Sequence, residues 1–196
     1  MKRKSLLFLL PVCFILYACP FESSVPIAAH PAEAIDSSLI GYWYGIVKDG
    51  SDFFGIEALD ITKESDSVYN ITRYGKAVKG DIILPDTAHF TGYVSYIGSQ
   101  RYMNIEGSIV NVITHGKKPA EVVTQKVYYI SAMSTQHDTL TVKTVTETFS
   151  PSRKVFSTPD QLRQAVIDLG AIRDIYDDLY TLSYHKIARP QPLKGF

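Results

Sequence analysis

Cysteine is almost absent from this chain: of 196 residues only Cys13 and Cys19 are cysteines, both near the N-terminus. Everything beyond them is therefore without a disulfide framework or thiolate metal ligands. A basic surface is missing too. The formal charge is zero, and Lys2, Arg3 and Lys4 account for three of the 20 basic residues, so the remainder is slightly acidic. Beyond them the basic doublets are Lys117-Lys118 and Arg153-Lys154. A nucleic-acid groove needs a basic stripe, so nucleic acid is not an expected partner. No Gly-x-Ser-x-Gly elbow occurs. The five histidines (His30, His89, His115, His137 and His185) do not fall at ligand spacing on a common strand or helix. Asp177-Asp178 reads as a turn, because neighbours on a strand point apart and cannot work as an acid and base pair. The expectation is a non-enzymatic protein with no catalytic residues, no metal and no cofactor.

Long apolar runs are lacking as well. The longest, Ser5 to Ala18, is broken by Pro11 and falls short of the roughly 20 residues that span a bilayer as a helix. Placed behind Lys2-Arg3-Lys4, it has the layout of an export signal. Leu16-Tyr17-Ala18-Cys19 resembles the lipobox of bacterial lipoproteins, with Leu at −3, a small residue at −1 and then the cysteine; Tyr17 departs from the usual small residue. The resemblance implies that residues 1–18 are a lipoprotein signal peptide and that Cys19 carries the acyl chains. The partner would be membrane lipid, held stably because each buried CH₂ contributes about 0.8 kcal/mol. An ordinary secretory signal, cut after Ala32-Glu33-Ala34, is the alternative. Residues 19–38, rich in Pro, Ala and Ser, read as the lipidated cysteine and a flexible tether of roughly 25 Å reach. No acidic cluster follows Cys19, which favours the periplasmic face of a bacterial outer membrane.

From residue 39 to the end the chain reads as one domain. Strand-forming runs alternate with turn residues at the spacing of an all-β barrel or sandwich. Strands are predicted over residues 39–48, 53–62, 67–73, 77–84, 88–97, 101–114, 121–133 and 139–148. Tyr74-Gly75-Lys76 is read as a turn and Pro85-Asp86 as a strand stop. Every connection is short, which implies antiparallel neighbours, and eight such strands close naturally into a barrel without exposed edges. Alternation places Met103, Ile105, Ile109 and Ile113 on one face and Asn104, Glu106 and Ser108 on the other. Residues 127–132 are apolar on both faces, so a further element should cover the outer one. Thr158-Pro159-Asp160-Gln161 supplies it: a Thr N-cap, Pro at the first helical position and Gln at the third open a helix over about 159–169. Leu162, Val166 and Leu169 form its apolar stripe. Residues 179–187 read as a final strand, with a helical reading through Ile172, Ile175 and Leu179 competing for its start. The fold class is all-β: an eight-stranded antiparallel up-and-down barrel followed by one short C-terminal helix and a last strand.

That order, with Gly41-Tyr42-Trp43 on the first strand, resembles the lipocalin family. The resemblance implies that Trp43 closes one end of the barrel and that Arg153, just after the eighth strand, stacks over it; Lys154 is the fallback. The family's second signature has no match at residues 114–121, and the first loop is short where many lipocalins carry a lid. Thirteen tyrosines are otherwise the unusual feature. Most read as strand residues with an amphipathic tip, while Tyr96, Met103, Ile105 and Tyr129 are the residues expected to line a ligand site. Glu57 and Glu106 are expected to point outward, with an inward, polar-binding placement as the alternative. Function divides between a monomeric lipoprotein holding a small apolar or amphipathic ligand inside the barrel and a packed-core module engaging a protein or polysaccharide. An envelope hydrolase or isomerase is a third, lesser reading. An interior cavity of roughly 300 Å³ or more with apolar walls separates the first from the second.

Overall fold

The computed structural model describes residues 20–48, 54–79, 82–113, 121–149 and 155–190. Eight strands follow one another around a closed antiparallel barrel: β1 (Gly41–Lys48), β2 (Phe54–Lys63), β3 (Tyr69–Lys79), β4 (Ile82–Ile97), β5 (Gln100–Ile113), β6 (Glu121–Gln136), β7 (Thr139–Val145) and β8 (Tyr176–Ile187). Among the described residues one α-helix, α1 (Pro159–Gly170), lies between β7 and β8. Two-residue turns at the end opposite the β5–β6 connection use positive φ at Gly98 (59°) and His137 (53°), the backbone that matches the right-handed twist of flanking strands. His137 is an exposed turn residue, and His115 lies outside the described residues.

Barrel, helix and last strand are all present, but the strands divide differently from the sequence reading. Residues 74–76 do not turn. They continue β3, with Tyr74 opposite Thr87, Gly75 opposite Asp86 and Lys76 opposite Pro85. Pro85 is tolerated because β4 pairs with β5 only over Thr91–Ile97, so β3 is its one ladder partner there and the missing N–H breaks no second ladder. The three predicted segments 67–73, 77–84 and 88–97 thus become two long strands, β3 and β4, and the strand after the helix becomes the eighth stave, paired with both β7 and β1. The competing helical start for this segment gives way to strand from Tyr176, and Asp177-Asp178 lies inside β8 instead of in a turn.

Two apolar cores result. The inner one fills the barrel's closed end with Leu39, Trp43, Ile61, Tyr69, Met103 and Leu140, joined by Leu59, Ile71, Val94, Met133, Val142 and Tyr184. The outer one lies on the other face of β5–β7, where Tyr102, Ile130, Ala132 and Val145 meet Leu162 and Val166 of α1. The covering helix is as expected, and its start is capped: Thr158 Oγ1 accepts from Gln161 N at 3.3 Å and Gln161 Oε1 accepts from Ser157 N at 3.1 Å. A ring cluster of Phe21, Phe149 and Phe156, with centroids 5.1 to 6.1 Å apart, completes this layer.

Phe21 belongs to the segment read as a flexible tether, and that reading is corrected here. Residues 20–38 run down the outer wall in fixed contact with it. Phe21 N donates to Val145 O (2.8 Å), and Ser23 exchanges backbone bonds with Tyr128 (3.0 and 2.8 Å), so the segment fills the gap where β6 and β7 diverge. Further on, Ile27 is buried with its N–H on Asn104 Oδ1 (2.9 Å), and Tyr93 Oη donates to Ala28 O (2.5 Å). Asp36 pairs with Arg101 at the closed end. The physical reason is that the outer face of β5–β6 is apolar but studded with buried donors and acceptors, and α1 covers only part of it. Asn104, wholly buried, also donates to Tyr93 O and Ser95 Oγ. Asn104→Ala leaves the Ile27 N–H without its acceptor and is expected to destabilise the fold by about 2 kcal/mol. Limited proteolysis within residues 24–34 should accelerate in parallel; an unchanged cleavage rate would show that Asn104 does not hold the segment.

Candidate functional site

The barrel interior changes character along its axis. Trp43 seals the closed end, its indole Nε1 donating to Leu39 O at 2.9 Å. Lys186 Nζ lies 5.0 Å from the centre of its ring, a cation over an aromatic face. Arg153, which the lipocalin resemblance places over this ring, lies outside the described residues, as does Cys19.

Above this floor opens a cavity of about 420 Å³ that reaches the mouth of the barrel. Leu59, Ile61, Ile71, Phe90, Ile105, Met133, Val142 and Leu182 supply apolar wall from seven strands, β2 to β8. Strand parity puts them there, since each alternates with outward residues on its own strand. Of the four residues expected to line a ligand site, Ile105 and Tyr129 lie on the wall of this cavity. Met103 points inward but is fully buried in the floor beneath the cavity, and Tyr96 lies near the closed end, partly exposed, away from it.

One group of polar residues breaks the apolar wall. Glu57 faces inward, against the outward placement expected of it, and is buried. Its Oε1 accepts from Tyr184 Oη (2.5 Å) and its Oε2 from Arg73 Nη1 (3.0 Å), while Arg73 Nη2 reaches Asp86. Burial opposes the Arg73 charge, but Glu57 and Asp86 outweigh it and hold the guanidinium protonated beyond its ordinary range. Burial first, and Glu57 second, push the Tyr184 hydroxyl far up, so it serves as a hydrogen-bond donor. Gly45 makes this possible: a Cβ there would lie 2.8 Å from Tyr184 Cδ1 and 2.9 Å from Ser183 O. Nearer the rim, Tyr129 Oη donates to Glu22 Oε1 at 3.1 Å. Glu106 is on the outer face, as expected, bound by Lys126 (2.7 Å) and Tyr128 (3.1 Å).

The inward placement is the alternative the sequence offers for Glu57, whereas Arg73 is not singled out by the sequence. The signal was their parity, since Glu57 alternates in step with Leu59 and Ile61, and Arg73 with Ile71. A charge on an apolar face is costly to bury alone, and only its partners, Arg73 on the neighbouring strand β3 and Tyr184 on β8, remove that objection. Among the described residues, no group of three or more His, Cys, Asp or Glu is placed to hold a metal ion.

The buried tyrosines give the protein a defined alkaline limit. Burial, with Tyr128 and Glu106 behind it, raises Tyr93 to about 12, and burial with Glu22 raises Tyr129 to about 12. In the unfolded chain both titrate near 10.0, so above that pH the unfolded state sheds protons that the native state keeps. Stability is full below pH 10 and falls as pH rises towards about 12. Tyrosinate absorbance followed beside circular dichroism should show a late-titrating fraction whose ionisation coincides with unfolding. Complete ionisation near pH 10 with structure retained would contradict this.

Fold and site together define a closed eight-stranded antiparallel barrel, sealed at one end, with an apolar cavity holding a buried ion pair. Comparison with protein-family models, with curated proteins and with solved structures finds no match.

Proposed function

We infer that this is a non-enzymatic bacterial envelope lipoprotein of lipocalin-like build. It is anchored through acylated Cys19 to the periplasmic face of the outer membrane and acts as a monomer that binds a small amphipathic molecule in its barrel. The cavity carries this reading. At about 420 Å³ with largely apolar walls it has the size and lining of a small-molecule site, whereas a packed-core interaction module has no use for it. The apolar part of the ligand lies between Ile71, Phe90, Ile105 and Leu182. Glu57 and Arg73 take its polar end, because a preformed pair presents both an acceptor and a donor without further reorganisation. The export-signal pattern ahead of Cys19 supports the anchoring.

The test is to fill the cavity. Ile105→Trp extends a large side chain into it and is expected to weaken binding of a small apolar fluorophore such as N-phenyl-1-naphthylamine at least about tenfold, or 1.4 kcal/mol. The overpacking cost should stay within about 1–3 kcal/mol, leaving the protein folded. Native mass spectrometry of the wild type should show a retained small molecule that the variant lacks. Equal binding by both proteins would place the ligand elsewhere. Absence of palmitate label on Cys19 would remove the anchor from the proposal.

A further inference from the structure

The two ends of the barrel differ in chemistry. At the closed end the turns are short and polar: Glu64-Ser65-Asp66, Gly98-Ser99 and His137-Asp138 are all exposed. At the mouth end the β5–β6 hairpin outruns the barrel. β5 is paired with β4 only as far as Glu106, and β6 with β7 only from Ser131, so Ser108–Ile113 with Glu121–Lys126 form a projecting two-stranded ribbon. This ribbon carries Val110, Val112 and Val122 at 62 to 64% exposure, with Ile113 and Val123 at 41% and 36%. Ile46 and Ile56, directly opposite each other on β1 and β2, add a second exposed apolar pair toward the same end. Isolated exposed aliphatic residues are ordinary, but a cluster on projecting strands at one end marks an interaction surface.

The course of the N-terminal segment says what that surface meets. The chain enters the described structure at Pro20, which bridges to Thr146 beyond the end of β7 and lines the cavity mouth. It then runs down the wall to the closed end. Whatever fixes the preceding residues to a membrane therefore holds the protein by its mouth and not by its polar end. The segment's burial against the barrel leaves no slack to turn the molecule over.

We propose that the mouth end docks on the lipid bilayer, with Val110, Val112 and Val122 of the β5–β6 ribbon in the interfacial layer and the cavity opening towards the membrane, so that the ligand passes between bilayer and barrel. This rests on the anchoring part of the functional reading. It goes beyond that reading in fixing which end faces the lipid and in making the membrane the source or destination of the ligand. Aliphatic residues on a narrow ribbon enter the headgroup–acyl boundary readily, whereas exposed carboxylates at the closed end would not.

The experiment uses the full acylated protein in mixed phosphatidylethanolamine and phosphatidylglycerol vesicles. Cys13 and Cys19 are the only cysteines, so single substitutions in the body give unique thiol positions once Cys19 is acylated. Val112→Cys, with Val122→Cys as a second ribbon position, and Ser99→Cys at the closed end each receive an environment-sensitive fluorophore. The ribbon probes are expected to shift to the blue on vesicles and to be quenched by doxyl-labelled lipid, while the Ser99 probe stays accessible to aqueous iodide. Membrane-bound protein with all probes aqueous, or with the Ser99 probe quenched by lipid, overturns the orientation and leaves the anchoring intact. A ribbon probe equally shielded in detergent without vesicles assigns the surface to a protein partner and overturns it too. Wild-type protein that accepts thiol label and does not float with vesicles removes the anchoring reading and this proposal together.

Discussion

Trp43→Ala is expected to lower the unfolding free energy by about 4 kcal/mol, measured as a fall in the denaturation midpoint without a change in slope. The indole is almost wholly buried and forms the largest side chain of the inner core. It shares that core with Ile61, Met133 and Tyr184, which come from strands far apart in sequence, so collapse around a deleted ring is restricted. Trp43→Phe keeps most of the volume but leaves Leu39 O without its donor, and should cost less. Lys186 contributes to the same site in a separable way. Its amine is solvent-accessible, so the coupling between Trp43→Phe and Lys186→Met should be no more than about 0.5–1 kcal/mol. The same cycle run with Arg153→Ala tests the partner implied by the lipocalin resemblance; additivity would count against that pairing.

Glu57→Ala is expected to cost about 3 kcal/mol, towards the low end for removing one partner of a buried pair. Its side chain is 9% exposed against 34% for Arg73, so deletion strands the guanidinium in a partly apolar wall with Asp86 as its remaining partner. Tyr184 loses its acceptor as well. Glu57→Gln keeps an acceptor for Tyr184 and should recover part of the loss. The double change Glu57→Leu with Arg73→Met should restore most of it, since apolar side chains of similar size often replace a buried ion pair without penalty. Binding should divide from stability here: the double variant is expected to stay folded yet lose discrimination for a polar end on the ligand, read by comparing a fatty alcohol with an alkane of equal length. Equal preference in wild type and double variant would remove Glu57 and Arg73 from the binding site.

Much of the fold was legible because the signals that write it are local. Alternation on residues 101–109 specified which side chains enter the barrel, and Thr158-Pro159 with Gln161 specified a helix start. Two apolar faces on residues 127–132 specified that something must cover them. Strand limits were less legible. Gly75 and Pro85 are turn and stop residues in isolation, and only the absence of a second ladder partner beside Pro85 lets both sit within long strands. Of the residues expected to face a ligand, Ile105 and Tyr129 lie on the cavity wall, whereas Met103 is floor and Tyr96 falls outside it.

Alternation and turn chemistry act between residues a few positions apart, so the sequence alone determined an all-β chain, its helix and the inward parity of its walls. Everything that depended on distant surfaces meeting was decided by the tertiary structure. Residues 20–38 have no periodicity, and their order arises from Asn104 and an apolar outer wall that exist only after the barrel closes. Glu57 is tolerated on the inward face because Arg73 on the adjacent strand β3 and Tyr184 on β8, brought round by barrel closure, meet it there. A buried charge and an ordered coil are both unfavourable until their partners are in place, and no local pattern records where those partners come from.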